Sequence, residues 1–201
     1  MDGHYSLNQD LKEAEAMAGS LADYLCQDRL YGSAGGGMFS SGKLPSLTVG
    51  ALLMRLRRLD ALSEQLDNQQ LARLQKAQEQ HEAVVDEWRV HYQQKMLREA
   101  NSRLDSILPF FTEYRKDPDF GAQVYKPEAM RRTIVQELLP AIDEHNLDTE
   151  ILRKKLTSVD GLLHSCLGKS DFLWGDMLQP VYAETTFWWL YRRPVAQRKF
   201  E

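Results

Sequence analysis

Cysteine is scarce in this chain of 201 residues, which contains only Cys26 and Cys166. The two lie far apart and neither belongs to a Cys-x-x-Cys pair. The spacing therefore indicates neither a zinc site nor the disulfide framework of a secreted domain. The first ten residues also lack the apolar run of a leader peptide. Together these absences predict a cytoplasmic protein.

A strong charge of one sign and long hydrophobic runs are absent as well. The formal net charge is −4, and no broad basic face is evident, so we expect no nucleic-acid partner. The most apolar stretch lies near the C-terminus. It is interrupted by Gly175, Asp176, Gln179, Pro180 and Glu184, which excludes a transmembrane segment.

Apolar residues that alternate with period two, as in half-buried strands, are missing throughout, so the sequence predicts an all-α helical bundle. The segment from Ala51 to Leu108 contains neither Gly nor Pro and is rich in strong helix formers. It predicts one long central helix over about residues 46–116. We expect a break near residues 67–70, where the apolar stripe loses phase, and a kink at Pro109.

Residues 1–31 predict a separate N-terminal amphipathic helix. Its apolar residues repeat at spacings of four and three, which places them on one face: Leu7, Leu11, Ala14, Ala18, Leu21 and Leu25. Ser6 and Gln9 have the spacing of a capping box. Residues 32–46 hold five of the twelve glycines and predict a flexible linker, which leaves residues 47–201 as the helical bundle domain.

Proline and glycine predict the breaks in the second half of the chain. Residues 117–121, Asp-Pro-Asp-Phe-Gly, predict a loop, Pro127 predicts the start of a helix, and Pro140 predicts a break in it. A further amphipathic helix is expected to begin at Asp148 and to stop at Gly168.

Two glycine-containing segments resemble phosphate-binding loops incompletely. Residues 37–43 match the pattern, but Leu44 replaces the hydroxyl residue that binds magnesium, and the segment follows a helix where a strand is required. Residues 168–170, Gly-Lys-Ser, lack the leading glycine. A linker and a helix stop are the better interpretations, and we predict no cofactor.

The five histidines do not predict a metal site; they are His4, His81, His91, His145 and His164. Neither His-Glu-x-x-His nor the Glu-x-x-His of di-iron bundles occurs. Glu87 with His91, and Asp160 with His164, lie four residues apart, which is typical of ion pairs on a helix surface. We therefore assign no metal ligand and no catalytic residue.

Basic residues cluster at two places, Arg55–Arg58 in the central helix and five cations on later helices: Arg131, Arg132, Arg153, Lys154 and Lys155. Phosphate contact is conceivable, but acids lie nearby and the apolar stripe runs between the cations. Solvated helix faces are the better prediction.

Aromatic residues are concentrated in one segment, because residues 172–191 hold seven of the nineteen rings. Closure of the bundle core is the simplest interpretation. The alternative is a docking patch, since Trp, Tyr and Arg are enriched at binding hot spots. Its candidate residues are Trp174, Phe187, Trp188, Trp189, Tyr191, Arg192 and Arg193. Neighbouring rings on a helix point about 100° apart, so we expect one of Trp188 and Trp189 in the core and the other outside it.

These observations predict a non-catalytic helical protein that binds a protein partner or a second copy of itself. The aromatic segment and the N-terminal helix are its candidate docking elements, and attachment to a membrane surface is a weaker interpretation. The alternative is an enzyme or ligand-binding bundle with a pocket between helices, formed for example by Tyr92, His91, Glu87, Tyr114 and Trp188. A concave polar pocket would favour the alternative, and an exposed apolar patch would favour docking.

Overall fold

A computed structural model describes residues 5–35, 45–116 and 118–195, apart from the side chains of residues 115–123. The described residues form seven α-helices: α1 (Leu7–Gly19), α2 (Leu21–Leu25), α3 (Val49–Ala61), α4 (Asn68–Glu87), α5 (Arg89–Lys116), α6 (Pro118–Glu144) and α7 (Glu150–Cys166). Short 3-10 helices span Ser63–Gln65, Asp176–Val181 and Trp188–Tyr191. The predicted all-α fold class is confirmed.

Two short antiparallel strand pairs accompany the helices. Strand β1 (Gly32–Ser33) pairs with β2 (Ser46–Leu47), and β3 (Leu167–Lys169) pairs with β4 (Arg192–Pro194). The sequence predicted neither pair, because strands of two or three residues are too short to show alternation.

The chain divides into two compact units, each assembled from separate stretches of sequence. The N-terminal unit comprises Ser6–Glu99 and Glu137–Leu147. The C-terminal unit comprises Met1–Tyr5, Ala100–Gln136 and Asp148–Glu201. The predicted division, which followed the glycine-rich segment, stays a prediction.

The predicted N-terminal helix begins where its cap indicates. The Ser6 hydroxyl accepts a hydrogen bond from the Gln9 backbone N–H at 3.3 Å, which is half of a capping box. The other half does not form, because the Gln9 side chain donates to Glu13 at 2.8 Å. Helix α1 packs against α3 and α4 within the N-terminal unit.

The predicted helix is divided at Ser20 into α1 and α2, and α2 ends at Leu25, before the predicted end at residue 31. Side chains capture the carbonyl groups that a longer helix would use. Lys95 Nζ donates to the carbonyls of Gln27 and Arg29 at 2.7 and 2.5 Å, and Tyr24 Oη donates to the Leu30 carbonyl at 2.7 Å. These bonds satisfy the backbone outside the helix.

The two ends of the predicted linker at residues 32–46 form the β1–β2 pair. Ala34 and Leu47 beside it are buried. Residues 36–44, including the incomplete phosphate-loop match, lie outside the described residues, so the interpretation of that match remains a prediction.

The long central helix predicted over residues 46–116 is divided into α3, α4 and α5. The first break lies at the predicted place, where Asp67 and Gln70 form a complete capping box. A capping box starts a new helix because it satisfies backbone N–H groups that lack a partner in the first turn. The second break, at Trp88, was not predicted.

The predicted loop at residues 118–121, helix start at Pro127 and break at Pro140 are wrong, whereas the kink at Pro109 stays a prediction. Helix α5 continues through Pro109 to Lys116, and α6 begins at Pro118 and continues through Pro127 and Pro140 to Glu144. Pro118 is the first helical residue, where no N–H is needed. Each proline in a helix interior destabilises the helix by about 3 kcal/mol. In α6 this cost is outweighed by burial of the apolar side chains around Pro127 and Pro140: Ala129, Ile134, Val135, Leu138, Leu139 and Ile142.

The N-terminal unit carries ion pairs inside it. On α3, Arg55 pairs with Glu13 of α1 at 2.6 Å, and Arg58 lies 3.5 Å from Asp10 of α1. Arg57 pairs with Glu137 at 2.9 Å. The prediction that this basic cluster forms a solvated helix face is therefore wrong for Arg55 and Arg58, which are buried.

In the C-terminal unit the β3–β4 pair is tightly packed. An ideal Cβ on Gly168 would lie 2.5 Å from Val195 Cγ1, so this position admits only glycine without a shift of its neighbour. Tyr114 Oη donates to the carbonyls of Val195 and Cys166. These contacts hold the last described residues against helices α5 and α7.

Candidate functional site

The aromatic segment of residues 172–191 lies in the C-terminal unit, between strands β3 and β4. Two backbone bonds bring its ends together: the N–H of Ser170 donates to the Tyr191 carbonyl at 2.9 Å, and the N–H of Leu173 donates to the Leu190 carbonyl at 2.8 Å. The segment is therefore a closed loop on the strand pair. Two 3-10 helices, Asp176–Val181 and Trp188–Tyr191, lie within this loop.

The rings of this loop form a continuous series of contacts. Neighbouring ring centroids lie 4.9 to 6.2 Å apart along the series Tyr191, Phe172, Trp174, Tyr182, Phe187, Trp189 and Trp188. Most of these contacts are edge-to-face, the arrangement that aromatic pairs favour. Tyr182, Phe187 and Trp189 are buried, whereas the rings at both ends of the series are half-buried.

Trp189 is the anchor of the loop in the core. It is completely buried, and its Nε1–H donates to Thr133 Oγ1 at 2.9 Å. The guanidinium of Arg132 lies 4.0 Å from the Trp189 ring and makes two bonds to Asp160, at 2.7 and 2.9 Å. Tyr125 Oη donates to the Trp189 carbonyl at 3.0 Å. Trp189 is therefore a structural residue and is inaccessible to a partner.

Trp188 points elsewhere, in agreement with the expected divergence of the two tryptophans. Its ring is half-buried and stacks on the exposed imidazole of His164, with centroids 3.7 Å apart and planes inclined by 12°. On β4, the guanidinium of Arg192 lies 5.5 Å from the Trp188 centroid. Trp188 is thus held between a histidine and an arginine at the surface of the unit.

The structure divides the other candidate residues as well. Phe187 is buried, while Trp174, Tyr191 and Arg192 are half-buried and Arg193 is exposed. Tyr191 Oη donates to the Tyr182 carbonyl at 2.7 Å, and burial raises the pKa of Tyr191. Of the seven candidates, Phe187 and Trp189 belong to the core, and the remaining five retain exposed surface.

Sequence reasoning missed two residues of this surface. His164 of α7 was considered only as a metal ligand, and Lys169 of β3 only as part of an incomplete phosphate loop. Both join the surface because β3 pairs with β4 more than twenty residues away. The spacing of the sequence contains no signal for that pairing.

The five residues proposed for an inter-helix pocket do not share one set of contacts. In the N-terminal unit, Tyr92 is buried, Glu87 is exposed, and the His91 ring meets Trp88 with centroids 5.5 Å apart. Tyr114 and Trp188 belong to the C-terminal unit, with the contacts given above.

A small cavity of about 210 Å³ lies in the N-terminal unit beside the end of α2. It is lined by Leu25, Cys26, Gln27, Asp28, His91, Gln94, Lys95 and Arg98. Its cations are engaged: Lys95 donates to backbone carbonyls, and Arg98 Nη1 donates to Asp28 Oδ1 at 3.0 Å. Burial lowers the pKa of Lys95. At this size the cavity is smaller than the 300–1,000 Å³ typical of ligand pockets.

A second polar cluster lies in the same unit. His81 Nε2 and Tyr92 Oη lie 2.9 Å apart, and the His145 ring meets the edge of the Tyr92 ring at 6.3 Å. Burial lowers the pKa of His81 to about 4 and raises the pKa of Tyr92. His81 is therefore neutral at pH 7, as a buried histidine without a charged partner should be.

The later basic residues are paired with acids. Arg132 binds Asp160, as described above, Lys154 pairs with Glu150 at 2.6 Å, and Lys155 pairs with Asp105 at 2.8 Å. Arg132 is buried, which corrects the prediction of a solvated face at that residue.

In the part of the chain that the structure describes, no group of three or more His, Cys, Asp or Glu side chains is arranged to hold a metal ion. Among the same residues, no helix combines the length and the apolarity needed to cross a membrane.

The chain matches no protein-family model, no curated protein and no solved structure. What the chain does has therefore to be inferred from its own residues, above all from the half-exposed rings and cations around Trp188.

Proposed function

We propose that this chain is a non-catalytic helical interaction protein whose surface around Trp188 docks on a protein partner or on a second copy of the chain. One observation carries the proposal. Trp188 presents part of a large aromatic ring at the surface, while its neighbour Trp189 is completely buried.

The surroundings of Trp188 suit a docking anchor. His164 stacks on one part of the ring and Arg192 lies over it, so the side chain is held in place before any partner arrives. A side chain that is already ordered loses little conformational entropy on binding. Trp and Arg are also the residue types that most often contribute binding energy at the centre of an interface.

The proposal is tested with Trp188→Ala and a matched control, Trp88→Ala. Trp88 is likewise half-buried and beside a histidine, but it lies in the N-terminal unit. Light scattering measures association of the purified chain with itself. A photo-crosslinking residue placed at position 188 or 88 captures a different protein in cells that make the chain.

We expect Trp188→Ala to weaken association by about 2 kcal/mol or more, roughly 30-fold in Kd, while the control leaves it unchanged. A captured protein counts as a partner only if, once purified, it shows that same difference between the two variants. The proposal is wrong if the wild-type chain does not self-associate and the chain with the crosslinking residue at position 188 captures no specific protein.

A further inference from the structure

The β3–β4 pair brings two positive charges together. Lys169 lies directly opposite Arg192 in the register of the pair. The neighbouring pair, Ser170 and Tyr191, is joined by a backbone hydrogen bond, so Lys169 and Arg192 occupy a non-hydrogen-bonded position. At such positions the side chains are closest, and like charges placed there oppose strand pairing.

Arg193 follows on β4 and is exposed, but successive residues of a strand point to opposite faces, so it lies on the other face of the pair from Lys169 and Arg192. Within residues 5–35, 45–116 and 118–195, no carboxylate lies within ion-pair distance of Lys169, Arg192 or Arg193. The cations elsewhere in this unit behave differently, since Arg132 and Lys155 each bind an acid. The charge on the strand pair is therefore left uncompensated.

This uncompensated charge continues directly into the aromatic surface. Arg192 is opposite Lys169 on one side and lies over the Trp188 ring, 5.5 Å from its centroid, on the other. The ring in turn stacks on His164. Carboxylates and an apolar side chain presented together would complement this surface.

We propose that this surface recognises an acidic segment of a polypeptide, with carboxylates at Lys169 and Arg192 and an apolar side chain against Trp188. The inference rests on the proposed docking function and specifies its partner. Two opposed cations are fewer than the six to ten phosphate contacts of a protein that neutralises a nucleic-acid backbone.

The test uses a fluorescein-labelled peptide of alternating glutamate and leucine, with an alternating lysine and leucine peptide for comparison. Fluorescence anisotropy measures binding to the full chain over a range of salt concentrations. The double variant Lys169→Glu with Arg192→Glu reverses both charges of the opposed pair. The control, Lys12→Glu with Lys76→Glu, changes the net charge equally at two exposed lysines of the N-terminal unit.

We expect wild type to bind the acidic peptide, with an affinity that falls as salt rises, and not to bind the basic peptide. The double variant should lose at least about tenfold in affinity, whereas the control should stay within about twofold. Melting temperatures show that each variant is folded. Failure of wild type to bind, or an equal loss in both double variants, would overturn the inference.

Two further outcomes overturn the inference in ways that separate it from the proposed function. If single-stranded DNA or phosphatidylserine vesicles bind more tightly than the peptide and lose binding in the same double variant, the ligand is a phosphate compound and not an acidic polypeptide. If Trp188→Ala disrupts association while the double variant leaves it intact, docking stands and recognition of acidic groups fails.

Discussion

The N-terminal and C-terminal units use different chemistry to hold their helices. In the N-terminal unit, acids on α1 form ion pairs with arginines on α3, and these pairs lie largely inside the unit. In the C-terminal unit, a series of aromatic rings runs from the buried Trp189 to the half-exposed Trp188. The two arrangements differ in whether they can form an interaction surface. Buried ion pairs neutralise their charges inside the unit, whereas a series of rings that begins in the core can end at the surface.

The largest effect should come from the core end of the aromatic series. Trp189→Ala removes a completely buried ring together with its bond to Thr133, so we expect a loss of about 3–5 kcal/mol in the free energy of unfolding. Urea denaturation measures it. Trp188→Ala should cost clearly less, because its ring is half-buried. Equal losses would show that the series does not change from core to surface as described.

The next effect should come from the charge inside the N-terminal unit. Arg55→Ala removes the cation that pairs with Glu13 at 2.6 Å and leaves Asp10 with Arg58 alone, and we expect a loss of about 3 kcal/mol. Arg73→Ala is the matched control. Arg73 and Glu15 are each one-third exposed, and such pairs contribute about 1 kcal/mol or less. If Arg55→Ala and Arg73→Ala lost the same free energy of unfolding, the buried ion pairs would contribute no more to this unit than the exposed pair does.

These expectations show which features the sequence could predict. Ser6 caps α1 through Gln9, and Trp188 and Trp189 diverge because they are adjacent, so local rules predicted both features. The loss of phase in the apolar stripe predicted the break near residue 67, but the capping box of Asp67 and Gln70 was not predicted. Burial of Arg55 was missed because its acid lies 42 residues away on another helix. The β3–β4 pair that brings Lys169 to the site was missed for the same reason. Contacts between distant segments leave no periodic trace in a single sequence.

A third, smaller effect concerns pH and the N-terminal unit. His81 has a folded-state pKa of about 4, below the ordinary value of 6.5, so the unfolded chain binds more protons between these two values. Stability should therefore fall as pH decreases from 6.5 to 4, by up to about 3 kcal/mol for this group alone. Glu137 acts in the opposite direction, because burial raises its pKa.

The contribution of His81 is isolated by comparing wild type with His81→Gln, since glutamine can still bond to Tyr92 but does not titrate. The difference in unfolding free energy between the two proteins should change over this pH window. A constant difference would mean that His81 is not buried as a neutral group.

The smallest effect leaves stability unchanged and compares the two thiols. Cys26 of the N-terminal unit is exposed, and Cys166 of the C-terminal unit is buried. A thiol reagent should therefore react promptly with one cysteine in the native protein and with both after unfolding. Cys26→Ser should abolish the prompt reaction. Prompt reaction of Cys166 would indicate that the α7–β3 junction opens readily.

The interleaving of the two units has a consequence for the order in which the chain can fold during synthesis. When residue 99 has been made, the N-terminal unit still lacks Glu137–Leu147, and Arg57 still lacks the carboxylate that lies 80 positions later. The C-terminal unit must wait longer, because Tyr114 bonds to a carbonyl 81 positions downstream. Contacts of such long sequence separation form slowly. In a nascent chain Arg57 of α3 is therefore made long before its partner Glu137, and neither unit can be produced by cutting the chain once.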